Sequence, residues 1–111
     1  GKFMHKSSLD KLGYNNENIR WEMFFNGWQQ KHHFIVGEYT DNIPSGIAVF
    51  SIYTDIARFG YISAAMIFLY GNDENAMIDT AKMFLPAFNV KSIVSSFPFK
   101  NAIQSSYEEL L

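Results

Sequence analysis

Gly71, Asn72, Asp73 and Glu74 stand where an apolar run gives way to an amphipathic one, in the stretch LYGNDENAM. A chain that leaves a strand this way points bare backbone N–H groups beyond the strand end, and the first amides of a helix attract anions. Two chemistries suit the residues. Gly71 and Asn72 can offer their amides to the phosphates of a cofactor, or Asn72 or Asp73 can cap the helix with its own side chain. Asp73 and Glu74 lie where a dianion would sit, and carboxylates favour a helix N-terminus for the same electrostatic reason that phosphate does. They fill the position and repel the ligand, so the expectation is a cap, worth about 1 kcal/mol.

Other reactive side chains are scattered. His32 and His33 are neighbours on an expected strand and point to opposite faces, so they do not chelate one ion. The sequence holds no cysteine, which removes disulfides, thiolate metal sites and a cysteine nucleophile; no metal site is expected. Ser7-Ser8, Ser95-Ser96 and Ser105-Ser106 lack the His–Asp framework of a serine nucleophile and read as polar surface. Glu38 is the one acid inside an expected strand, and a solvated edge position accounts for it.

The elements that must position these groups follow from periodicity and turn chemistry. Residues 4–14 show no clear period and read as loop. Asn15 can cap a helix with Tyr14 and Ile19 as its hydrophobic staple. Trp21, Phe24, Phe25 and Trp28 then recur at i, i+3, i+4, i+7, which predicts a helix ending near Gln30. Residues 33–40 and 47–54 read as strands joined by the turn 41–46, where Asp, Asn, Pro and Gly supply the dihedrals. Residues 61–70 form a third strand, whose almost unbroken apolar run implies burial on both faces and a central place. Residues 73–85 form an amphipathic helix, with Met77, Ile78, Ala81, Phe84 and Leu85 inward and Thr80 outward. Residues 90–97 form a fourth strand and 100–110 a last helix. Short turns make the first three strands an antiparallel meander, and the crossover helix makes the fourth parallel to the third. The fold class is α+β: a mixed four-stranded sheet with helices packed on it.

Composition sets the outer bounds. With 111 residues, 48% of them hydrophobic, the chain can bury one core and reads as a single domain over 4–111. Gly1-Lys2-Phe3, ahead of Met4, reads as an expression scar. The net charge of −2, with Lys and Arg dispersed, gives no basic stripe for nucleic acid. No apolar run approaches a membrane span and no signal-peptide pattern opens the chain, so a cytoplasmic protein with no membrane contact is expected.

A three-stranded meander, a strand–helix–strand crossover and a final helix resemble the middle of the GNAT N-acetyltransferase fold, over about residues 15–111. "FIVGEYTDNIPSGIAVFSIY" looks like that family's second and third strands. In "NAIQSSYEELL", Asn101, Ala102, Ile103, Tyr107, Glu108 and Leu110 follow the order of its penultimate helix, with one residue too many between Ala and Tyr. The resemblance implies acetyl-CoA as cofactor, Gly71 and Asn72 against its pyrophosphate, and Tyr107 as the acid that protonates the departing thiolate. A helix tyrosine with its ring in the core is the alternative for Tyr107. The chain departs from the family where the chemistry lies: the strand-to-helix loop has one glycine where the family has a Gln/Arg-x-x-Gly-x-Gly/Ala loop. Residues 61–70 also offer no carboxylate or histidine as a base.

These departures favour a non-catalytic protein-binding module on a degenerate acetyltransferase-like scaffold. The small size and Asn/Ile/Phe-rich composition suit a phage or mobile-element protein that binds or inhibits a host or toxin partner. The alternative is an acyl-CoA-dependent N-acetyltransferase with an eroded cofactor loop. GNAT chains continue past the last helix with two more strands beside the fourth, so the strand 90–97 is expected to keep an open edge. A homodimer or a partner complex would form there through Val90, Ser92 and Val94. The aromatic face of Trp21, Phe25 and Trp28 is the second candidate surface.

Overall fold

The computed structural model describes residues 7–16, 18–26, 31–95 and 107–110, with the backbone alone at 7–16, 26, 58 and 107–109. The elements are β1 (Ser7–Asn16), β2 (Ile19–Asn26), β3 (Lys31–Thr40), β4 (Ile43–Asp55), β5 (Tyr61–Tyr70), helix α1 (Glu74–Phe84), β6 (Val90–Ser95) and β7 (Tyr107–Glu109). They build one mixed sheet in the order β1-β2-β3-β4-β5-β6-β7, with β2 to β6 as its five-stranded body. Every neighbouring pair is antiparallel except β5 and β6, which run parallel on either side of α1. The class is therefore α+β, with a larger sheet than four strands and a single α-helix among the described residues.

The meander and the crossover lie where periodicity and turn chemistry place them. Asp41 and Asn42 adopt φ of 53° and 66°, the left-handed pair that a two-residue hairpin requires and that Asp and Asn tolerate. The turn is thus shorter than 41–46, and β4 starts at Ile43. β5 is central, between β4 and β6, although its end is not buried on both faces: Ile67, Phe68 and Tyr70 are exposed. In α1, Asp73 is the N-cap and its side chain accepts the Ala76 N–H at 3.0 Å. Thr80 is buried rather than outward, and its hydroxyl donates to the Ala76 carbonyl at 2.8 Å. Pro86 sits in a 3-10 turn, Leu85–Phe88, that closes on Asn89 at φ 68°.

One expected helix gives way to a strand, and so does the described end of another. The segment 19–26 is β2, paired with β3 from Ile19↔Glu38 to Asn26↔Lys31, and residues 7–16, expected as loop, pair with it as β1. The physical reason lies in β2 itself, which alternates Ile19, Trp21 and Met23 with Arg20 and Glu22 until Phe24 adds an apolar side chain to the opposite face. Ile19, Trp21 and Met23 enter the core while Phe24, buried as well, stacks on His33 on the opposite face at 5.6 Å. Trp21 and Phe24, on opposite faces of the strand, satisfy the i, i+3 step of a helix by accident. At the other end, residues 100–106 lie outside the described residues, and Tyr107–Glu109 is β7, antiparallel to β6 through Ser92↔Glu109, Ile93↔Glu108 and Val94↔Tyr107. β6 is consequently not an edge, because β5 and β7 flank it.

α1 covers one face of the sheet. Phe34, Val36, Ala48, Phe50, Ala64 and Met66 from the strands meet Met77, Ile78, Ala81 and Leu85. Trp21 stacks on Phe34 at 5.2 Å and meets Phe84 at 4.9 Å. On the β5–β6 pair, the buried hydroxyls of Ser63 and Ser92 satisfy each other at 2.8 Å. No helix among the described residues is long and apolar enough to cross a membrane.

Candidate functional site

β3 alternates strictly, so Phe34, Val36 and Glu38 share the face that carries α1. Glu38 is only 5% exposed, in an interior strand and not at a solvated edge. Its carboxylate reaches the junction between β5 and α1. The Asn72 N–H donates to Oε1 at 3.0 Å and the Asp73 N–H donates to Oε2 at 2.6 Å. The Ser45 hydroxyl, from β4, donates to Oε1 at 2.9 Å. Three donors from two elements thus converge on one side-chain anion, 34 residues away in sequence from the nearer amide.

Two glycines make room for it. A Cβ on Gly46 would stand 2.7 Å from both the Gly71 Cα and the Tyr70 carbonyl oxygen, and one on Gly71 would stand 2.6 Å from the Met77 methyl. Backbone therefore packs on backbone beside the carboxylate, which only glycine permits. Burial by itself would raise the Glu38 pKa. The N–H groups of Asn72 and Asp73 and the Ser45 hydroxyl outweigh it and hold the carboxyl below its ordinary value. A carboxylate so placed is a poor general base at neutral pH, since donors already engage both oxygens and its affinity for a proton is reduced. What it does well is neutralise the positive end of α1 from within.

Behind the sheet, on the face away from α1, an open groove of about 800 Å³ runs over Gly37 between Tyr39 and Tyr70. The Tyr39 ring lies against Gly37, 3.1 Å from where a Cβ would be. The Arg20 guanidinium rests 4.0 Å above the centre of that ring and donates to Asn42 Oδ1 at 3.1 Å. Ser45 and Gly46 line the groove as well as the carboxylate site.

The candidate residues disperse in space. Gly71 and Asn72 are at the junction as expected, with the Asn72 amide engaged by Glu38. Tyr107 lies in β7, on the far side of β6 from the junction strand. Trp21 is 5% exposed and belongs to the core, where its indole Nε1 has no hydrogen-bond partner. Phe25 is half-buried against His32, and Trp28 lies outside the described residues. Val90 and Ser92 are buried and Val94 is half-buried, so these three do not make an open surface. His32 and His33 stack on different rings, Phe25 and Phe24, and no group of three or more His, Cys, Asp or Glu among the described residues could hold a metal. Glu38 is the residue that sequence reasoning misjudged, and a signal was present: an acid two residues beyond Val36 shares the parity of the core side chains. No protein family, curated protein or solved structure matches the chain.

Proposed function

We infer that the chain is a non-catalytic protein-binding module on a GNAT-like scaffold. The observation that carries this reading is the occupation of the strand-to-helix amides of Asn72 and Asp73 by the Glu38 carboxylate. A pyrophosphate would need those same donors, and it would meet Glu38, Asp73 and Glu74 as like charges at close range. The meander followed by a parallel β5–β6 crossover supports the choice of scaffold. The apolar face behind the sheet supports binding over catalysis, since exposed apolar side chains that cluster mark contact surfaces.

Thermal denaturation with and without millimolar acetyl-CoA tests the reading. A ligand at a hundred times its Kd stabilises a fold by about 2.7 kcal/mol, a readily visible rise in Tm. The expected result is no rise. A rise of that size would overturn the reading in favour of an acyl-CoA-dependent N-acetyltransferase, with Tyr107 as its first candidate acid.

A further inference from the structure

The sheet face away from α1 carries two adjacent rows of side chains, set by the strand register. One row is Arg20, Gly37, Ile47 and Tyr70; the next is Glu22, Ile35, Val49 and Phe68. Residues two apart on a strand share a face, so the rows lie about 7 Å apart. An antiparallel sheet with one solvated face normally alternates apolar with polar residues. Here the only charges in the two rows are on β2, and Ile47, Phe68 and Tyr70 are 37%, 50% and 66% exposed.

The rows are complementary to each other. The first holds a cation, the Tyr39 ring over Gly37, Ile47 and Tyr70; the second holds an anion with Ile35, Val49 and Phe68. A two-fold axis lying across the strands, midway between the rows, exchanges them. It sets Arg20 opposite the partner's Glu22, the Tyr39 ring over Gly37 opposite the partner's Ile35, and Tyr70 opposite the partner's Phe68. Every contact then occurs twice, as an isologous interface requires. Stacked sheets of this kind pack about 10 Å apart with strands nearly aligned. Arg20 is already restrained by the Tyr39 ring and Asn42, so less side-chain freedom is lost when it meets the partner's Glu22.

We propose that this chain forms a two-fold homodimer through the face that bears Arg20, Glu22, Ile35, Ile47, Phe68 and Tyr70, with the two sheets stacked and the rows exchanged. The proposal rests on the reading of the chain as a protein-binding module and names a second copy as the partner.

Light scattering on the full chain after size exclusion, loaded at about 100 µM, an ordinary range for weak dimers, is the test. The expected mass is twice 12.8 kDa. Phe68→Asp should give the monomer mass with an unchanged circular dichroism spectrum, because that ring is half exposed in the single chain. Glu22→Arg sets like charges opposite each other and should weaken association about tenfold, and adding Arg20→Glu should restore it. A wild-type monomer overturns the proposal, as does a dimer that persists in Phe68→Asp or one indifferent to Glu22→Arg. A monomer that also shows no acetyl-CoA shift overturns the dimer alone, whereas an acetyl-CoA shift overturns the binding-module reading whatever the mass.

Discussion

Glu38 does at the scale of one residue what a bound anion does in other strand-to-helix junctions: it accepts the first amides and offsets the helix dipole. Glu38→Gln keeps the shape but turns an amide NH2 toward donors that need an acceptor. It should cost about 2–3 kcal/mol at neutral pH, read from urea unfolding. The pH dependence has a definite sign. A carboxyl held below its ordinary 4.5 binds fewer protons folded than unfolded, so its contribution is present above that value and is lost as pH falls through the lower folded one. The gap between wild type and Glu38→Gln should therefore close on acidification. A variant as stable as wild type at pH 7 would show that the three donors contribute nothing. His33, lowered by burial and then by Lys31 and His32, also favours the folded state at higher pH, but equally in both proteins.

Elements are held at this junction by close backbone approach. Gly46→Ala should cost about 1–3 kcal/mol, because the added methyl meets backbone atoms that cannot swing aside. Gly60, at φ 75° with nothing within 4 Å, supplies the comparison: an alanine there meets only the left-handed strain of about 1 kcal/mol. Thermal melts should rank Gly46→Ala below Gly60→Ala, and the reverse order would refute the close approach. The same elements explain what was legible in the sequence. β3, β4, β5, α1 and β6 announce themselves because the Asp41-Asn42 turn, the apolar run of 61–70 and the Asp73 cap each carry local chemistry. β2 misleads because Phe24, on the face opposite Trp21, mimics the next step of a helical stripe. β7, three residues long, is too short for any period to show. Glu38 shares the parity of Phe34 and Val36, but its burial also depends on β2 pairing along β3, and the sequence of β2 reads as a helix.

At the scale of the molecule, α1 covers one face of the sheet, and the other face presents Ile35, Val49, Phe68 and Tyr70 among the described residues. The aromatic core around Trp21 is closed on the helix side by Phe84 and Phe88. The back of the sheet is apolar enough to seek cover. This division places the closed anion site and the groove back to back through Ser45 and Gly46.

The strand order repeats the chain order without a break, and this bears on how fast the molecule assembles. Each strand pairs with its immediate successor, so most loops to be closed are short and contact order is low for a sheet this wide. Hairpins can zip outward in either direction from the Asp41-Asn42 turn on a microsecond scale. The clasp between Glu38 and α1 spans the meander and can shut only after β5 has joined β4. It belongs to the late side of the barrier. In stopped-flow chevrons, Glu38→Gln should leave the refolding limb nearly where it was and raise the unfolding rate by about 30- to 150-fold, the whole of its ~2–3 kcal/mol. A variant that refolds slowly but unfolds at the wild-type rate would instead put the clasp in the nucleus, with the junction forming first and the meander condensing around it.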